Sequence, residues 1–166
     1  MPNKIYQVPE TATVWTDSGG DKVLDLGSLA AAAGRVGAAL DRGAAARPEI
    51  YEWRLKIDGF DTAPIVGESV DLYIAESDGT ITDGPVGFST STDEALASVN
   101  LLKNLRFIGQ AVVRSTTAGD DLVASGRIAL SSRYVIPVVH NSTADALLGT
   151  SDAHSLTLTP IPPEIQ

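Results

Sequence analysis

Between Ile50 and Ile57 apolar and charged residues alternate, with Tyr51, Trp53, Leu55 and Ile57 on one side and Glu52, Arg54 and Lys56 on the other. A period of two predicts a strand with one buried and one solvated face. Val70-Asp71-Leu72-Tyr73-Ile74 repeats the pattern after the turn Ala63 to Gly67. The two segments are expected to be adjacent antiparallel strands. Further strands are predicted at Leu105 to Val113, Leu122 to Leu130, Tyr134 to Val139 and Leu156 to Leu158, divided by Ala118-Gly119-Asp120-Asp121, Ser131-Ser132 and Asn141 to His154. Pro137 lacks an amide donor, so its strand is expected at a sheet edge or at a bulge. Val14-Trp15-Thr16, the turn Asp17 to Asp21, and Val23 to Leu26 read as a hairpin.

Two segments break this rhythm. Leu29 to Ala46 is rich in alanine but carries Gly34, Gly37 and Gly43, each costing about 1 kcal/mol inside a helix. A helix from Ser28 to Ala33 and a small-residue strand from Arg35 to Asp41 both fit, the strand implying close approach of another chain or sheet. Glu76 to Ser91 is a long polar loop. Ser91 and Glu94 have capping-box spacing, and Leu96, Val99 and Leu102 recur at helical intervals, which predicts a short helix over Asp93 to Leu102. Many short strands and one short helix predict a mainly β protein, a β-sandwich of jelly-roll type. Prolines near both ends divide the chain into an extended N-terminal arm at 1–13, a β-sandwich domain at 14–159 and an extended C-terminal tail at 160–166.

A chain of 166 residues is long enough to bury about 70% of its unfolded surface. Cysteine is absent, which excludes disulfides, thiolate metal sites and a cysteine nucleophile. A formal charge of -9 and a pI near 4.5 oppose binding to nucleic acid or to an anionic membrane. Arg35, Arg42, Arg47, Arg54 and Lys56 are concentrated in one third of the chain and read as solvated, scattered charge. The N-terminus has no apolar run of signal-peptide type, and no stretch reaches the roughly 18 residues of a membrane span. A soluble chain is expected.

Chemistry is thinly represented. A histidine-based triad would have to use His140 or His154, and no Gly-x-Ser-x-Gly elbow is present. His140 is expected at a strand end, bonded to the loop that follows. Glu52, Asp58, Asp61, Glu68 and Asp71 lie near one another without a fixed separation for glycoside hydrolysis. Glu52 shares a strand face with Arg54 and Lys56, which favours cross-strand charge pairs. Asp78, Asp83, Asp120 and Asp121 sit in glycine-containing loops able to offer oxygen to calcium, but Asp-Gly is ordinary turn chemistry and no EF-hand spacing occurs. No phosphate-binding glycine loop is present. No catalytic residue, metal site or cofactor is therefore assigned, and an enzyme is not expected.

The order Trp15-Thr16-Asp17-Ser18-Gly19-Gly20-Asp21, Tyr51-Glu52-Trp53-Arg54-Leu55-Lys56-Ile57, Val70-Asp71-Leu72-Tyr73, Phe107-Ile108-Gly109, Arg133-Tyr134-Val135-Ile136-Pro137-Val138-Val139 and Leu156 to Pro160 resembles a group of small virion structural proteins of tailed bacteriophages. The resemblance runs over most of the chain from Trp15 onward and rests on strand blocks. It implies a non-enzymatic protein, made in the bacterial host cytoplasm, that decorates or cements the capsid exterior. Its partners would be the major capsid protein and further copies of itself, as a dimer or trimer. Ile5, Tyr6 and Val8 in the first arm, and Ile161 and Ile165 in the last, are the candidate anchors, since extended arms can add a strand to a neighbour's sheet. A head-completion or tail component is the alternative within the same setting. A carbohydrate-binding host-attachment module is another, with Trp15, Tyr73 and Tyr134 as its candidate stacking platform.

Overall fold

Alternation along Ile50–Ile57 gives a strand, β6, whose odd-numbered side chains from Tyr51 to Ile57 are all buried. In the computed structural model, which describes residues 5–45, 47–84 and 86–165, it is one of thirteen strands. The others are β1 (Ile5–Gln7), β2 (Thr13–Thr16), β3 (Lys22–Val23), β4 (Gly34–Val36), β5 (Leu40–Asp41), β7 (Ser69–Ser77), β8 (Glu94–Ala95), β9 (Arg106–Val112), β10 (Leu122–Ala129), β11 (Tyr134–Asn141), β12 (Ser155–Pro160) and β13 (Pro163–Ile165). A 3-10 helix at Val99–Asn104 is the only helix among the described residues.

One sheet has the order β10-β6-β12-β2-β3 and the other β8-β4-β11-β7-β9, with β5 continuing the β4 side of β11. Setting the small strands aside, β2-β12-β6-β10 faces β4-β11-β7-β9. The chain reaches this interleaved order by passing repeatedly between the sheets, which is the jelly-roll topology. Trp15, Leu55, Ile57, Leu72, Ile74, Val139, Leu156 and Leu158 fill the space between them. Each such side chain contributes about 1.5–3 kcal/mol by leaving water.

Several sequence expectations are corrected here. Strands β6 and β7 are not neighbours; β6 lies between β10 and β12, and β7 between β11 and β9. Their apolar faces meet across the core rather than edge to edge. Strands β2 and β3 do not form a hairpin but pair in parallel, Trp15 with Lys22 and Thr16 with Val23. The chain loops back so that the Leu24 amide donates to the Thr16 carbonyl at 2.8 Å and Leu24 and Leu26 enter the core, each 1% exposed. No helix forms over Ser28 to Ala33, where Ser28 and Ala32 take positive φ of 54° and 56° in successive turns. The small-residue strand does form, as β4 and β5. A Cβ on Gly34 would lie 2.7 Å from the Leu96 side chain, so the small residue makes room for an overlying segment.

Pro137 is in an interior strand, neither at an edge nor at a bulge of its own. Strand β11 lies between β7 and the broken β4/β5 strand, and Pro137 faces the break at residues 37–39. Its carbonyl accepts from the Gly37 amide at 2.8 Å, while the Ala38 and Ala39 amides turn away to the Val23 and Ser89 carbonyls. The missing donor therefore falls where the neighbouring ladder is already interrupted.

The helix expected over Asp93 to Leu102 with a cap at Ser91 is replaced by strand β8 and the later 3-10 helix, whose cap is Ser98. Leu96, Leu101, Leu102 and Leu105 pack on the outer face of the second sheet, against Val36, Ala75, Ile136 and Val138. This second core explains why β11 is buried on both faces. No helix among the described residues is long and apolar enough to cross a membrane.

Candidate functional site

The two ends of the chain meet. Strands β1 and β13 form a separate antiparallel ribbon with Ile5 opposite Ile165, Tyr6 opposite Glu164 and Gln7 opposite Pro163. Backbone bonds from Val8 to the Pro162 carbonyl at 3.2 Å and from Glu10 to the Pro160 carbonyl at 2.9 Å continue the pairing toward the sandwich. Among the described residues no third strand joins either side of the ribbon. Among the described residues the outer edges of both strands thus lack a ladder partner, although Pro163 gives the β13 edge no N–H donor.

The candidate anchors divide by position. Val8 is half-buried. Ile161 is a core residue of its own chain, 2% exposed, with its amide bonded to the Ile50 carbonyl at 2.9 Å. The side chains of Ile5, Tyr6 and Ile165 lie outside the described residues, although their backbones define the ribbon register.

His140 is the penultimate residue of β11 and, as expected, bonds to the loop that follows, its Nδ1 2.7 Å from Ser142 Oγ; its Nε2 lies 3.3 Å from the Ala32 carbonyl. Ser142 Oγ donates to Asp71 Oδ2 at 2.7 Å. The serine stands between histidine and aspartate, whereas a nucleophilic triad needs the histidine in the middle. His154 is buried, accepting from the Asp58 amide at 3.1 Å through Nδ1 and donating to the Leu148 carbonyl at 2.7 Å through Nε2.

Loop carboxylates are engaged in holding the loops. Asp78 accepts from the Thr80 and Ile81 amides at 2.7 and 3.0 Å, Asp83 from the Glu76 amide at 3.1 Å, and Asp121 lies 3.4 Å from Lys56. Among the described residues no group of three or more histidine, cysteine or acidic side chains is arranged to hold a metal ion. One carboxylate clasp is not announced by the sequence. Asp152 accepts from the Ser18 and Gly19 amides, each at 2.8 Å, and from Ser18 Oγ at 2.9 Å. These donors hold its carboxyl well below the usual range.

Trp15 provides no stacking platform. It is 1% exposed, and its indole donates to the Ala38 carbonyl at 2.8 Å. Tyr73 and Tyr134 instead pair edge-to-face with Phe107 and Phe88, at centroid separations of 5.3 and 5.1 Å. Phe88 and Phe107 are partly exposed and were not singled out by the sequence pattern.

The basic residues separate into two kinds. Arg35 pairs with Asp93 at 2.6 Å, Lys56 with Asp58 at 2.6 Å, and Glu52 accepts cross-strand from Arg127 at 2.8 Å. Arg42 and Arg47 instead wall a cavity of about 690 Å3 with Arg106, Glu49, Ala45, Ala129, Leu130 and Ser131. Arg106 lies some sixty positions away in sequence (106 against 42 and 47) and joins them only through the fold.

No family model matches this chain, and no curated protein matches it. Among solved structures, the crystal structure of murine APRIL at pH 5.0 aligns over 96% of this chain and 99% of its own, at 13% identity and a TM-score of 0.42.

Proposed function

We propose that this chain is a non-enzymatic structural protein that decorates or cements the capsid of a tailed phage, bound on the exterior to the major capsid protein lattice as a small homo-oligomer. The observation that carries this reading is the β1–β13 ribbon. It is a short, two-stranded element with no third strand beside it among the described residues, the geometry by which one chain extends another's sheet, with β1 the better edge because Pro163 removes a donor from β13. The strand blocks that resemble small phage virion proteins supply the setting. The net charge of -9 suits a surface facing away from packaged nucleic acid.

The test is a cryo-EM reconstruction of the particle that carries this chain, made with the full chain and with residues 1–9 or 163–166 removed. Ile161 is retained in both truncations because it belongs to the core. Density at junctions of the icosahedral shell that weakens on either truncation, with the domain still folded by circular dichroism, is the expected result. Density confined to the portal or tail vertex would replace this reading with a head-completion or tail component. Full occupancy after both truncations would remove the arms from the interaction.

A further inference from the structure

Sheet edges are ordinarily protected by short strands, proline, lysine or a bulge. Strands β3 and β8, at the ends of the two sheets, have two residues each, and β9 carries an irregularity in register opposite Leu72 and Tyr73. Strand β10 has none of these devices. It pairs with β6 through all 8 of its residues without a break and holds neither proline nor lysine. Its free side follows from the bonds on the other. The Leu130 amide donates to the Glu49 carbonyl at 2.8 Å and continues the β10–β6 register. Even-numbered residues of β10 therefore face β6, and Val123, Ser125 and Arg127 turn their N–H and C=O groups outward. The Ala129 carbonyl, next in that series, accepts from Arg106 Nη1 at 2.6 Å, which ends the open row. No backbone bond among the described residues reaches the other three.

A cavity of about 580 Å3 runs along this row, with Ile108, Gln110 and Val112 of β9 on its far side. The three outward residues also have exposed side chains, and the apolar Val123 is 42% exposed. Charge selects the occupant. The protein carries -9 overall, which opposes the meeting of two copies, but beside β10 the signs balance. Arg127 lies 2.8 Å from Glu52, and Lys56 lies 2.6 Å from Asp58 and 3.4 Å from Asp121. Arg54, opposite Ser125 on β6, offsets the third of these carboxylates. Asp120 and Arg114 offset each other in the adjoining loop. The side chains of Asp121 and Arg127 are 50% and 60% exposed, so each has room for a second partner of opposite sign.

We propose that two copies of this chain join edge to edge through β10, antiparallel about a two-fold axis beside Ala124. Val123 then lies opposite Ser125 of the second copy, and Arg127 opposite its Asp121. These pairs are all outward-facing, so they exchange up to about eight backbone bonds, and the two five-stranded sheets become one. Each Arg127 is held between its own Glu52 and Asp121 of the second copy. A wholly acidic or wholly basic segment would match only half of this row, whereas an identical strand matches all of it by symmetry. The pairing also covers Val123. It names the interface of the homo-oligomer in the reading above and rests on that reading only for the dimer's place on a capsid.

The experiment is sedimentation velocity on the intact isolated protein over a concentration series. A reversible equilibrium between the 17.3 kDa chain and a species of twice that mass is expected. Ser125→Pro removes an outward N–H and leaves the β6 ladder whole, so it should raise the dissociation constant about tenfold or more. Arg127→Glu and Asp121→Arg each set like charges across the two-fold axis and should weaken the dimer, with circular dichroism showing that both variants fold. An equimolar mixture of the two restores opposite charges at both ends and should associate more tightly than either alone, a rescue that a damaged fold cannot give. A monomer throughout, a trimer, a dimer indifferent to Ser125→Pro, or a mixture no tighter than its components would overturn the proposal. No capsid takes part. A dimer absent from the shell would therefore defeat the decoration reading alone, and a monomer that still occupies the shell would defeat the interface alone.

Discussion

At the scale of single residues, the tightest constraint lies around Trp53. A Cβ on Gly109 would stand 2.4 Å from Trp53 Cη2, and one on Gly126 would stand 2.9 Å from its Nε1. Gly109 is on β9 and Gly126 on β10, the edge strands of the two sheets, so the indole closes the side of the sandwich between two surfaces that have no side chain. The ring is rigid and bounded on both sides, so it cannot yield to an added methyl in either direction. Gly109→Ala is expected to lower stability by about 1–3 kcal/mol, as overpacking does. Gly119→Ala, where nothing lies within 4 Å, should change it by less than about 0.5 kcal/mol. Urea denaturation of the two variants measures the contrast, and equal midpoints would remove Trp53 as a packing constraint.

At the scale of elements, the loop between β2 and β3 is closed locally by Asp21, which accepts from the Val14 amide at 2.9 Å, and its tip is held from outside by Asp152. Asp152 has φ of 55°, a conformation that asparagine tolerates well. Asp152→Asn therefore removes charge while keeping the backbone. The carboxyl is depressed in the folded state, so its contribution is fully present above the unfolded carboxylate pKa of about 3.9. It is lost as pH falls through the lower folded value. The melting temperature of the parent protein should exceed that of Asp152→Asn above about pH 5, and the gap should narrow steadily as pH falls below about 4. Asp41, lowered to about 2 mainly by Arg133, titrates in both proteins and cancels from the difference. A constant gap across this range would mean that the clasp acts through shape alone.

The same scale shows what the residues disclosed in advance. Strand β6 was legible to the residue, as were β10 and β12 nearly so, because one buried face writes a period of two directly into the sequence. Alternation names a face but not a neighbour, which is why β6 and β7 were paired when they lie in opposite sheets. Pro137 misled because the pattern of β11 cannot show that its partner strand breaks opposite it. Prolines mark both terminal segments in the sequence, but the pairing of β1 with β13 depends on residues 5 and 165 meeting in space. The arginine-walled cavity is half visible in the sequence: Arg42 and Arg47 stand in a basic cluster, while Arg106 reaches it only through the fold. Nothing local separates it from Arg127, which instead pairs with Glu52.

At the scale of the whole molecule, the protein has two cores of unequal depth. The sandwich core contains the large side chains fixed by both sheets. The outer core is formed where the 76–105 excursion lies over β11 and β7, and its leucines are only partly buried. Beyond the two-residue β8–β4 ladder, Arg35 with Ala95 and Val36 with Glu94, few backbone bonds tie that cover to the sheet. The Leu96 amide reaches the Gly34 carbonyl at 2.8 Å and the Ala39 amide reaches the Ser89 carbonyl at 2.6 Å, whereas the Leu101 and Leu105 amides bond only within the 3-10 turns. Opening the cover exposes Val36, Ile136 and Val138 without disturbing the ladders on either side of β11, so it should occur well before global unfolding. Native-state hydrogen exchange is expected to resolve two classes, with the Leu96, Leu101 and Leu105 amides exchanging through a lower-energy opening than amides of β6, β7 and β12. Leu96→Ala empties the space over Gly34 and should accelerate the first class more than the second. Equal protection in both classes would mean instead that cover and sandwich unfold together, and that the second core is an integral part of the jelly roll.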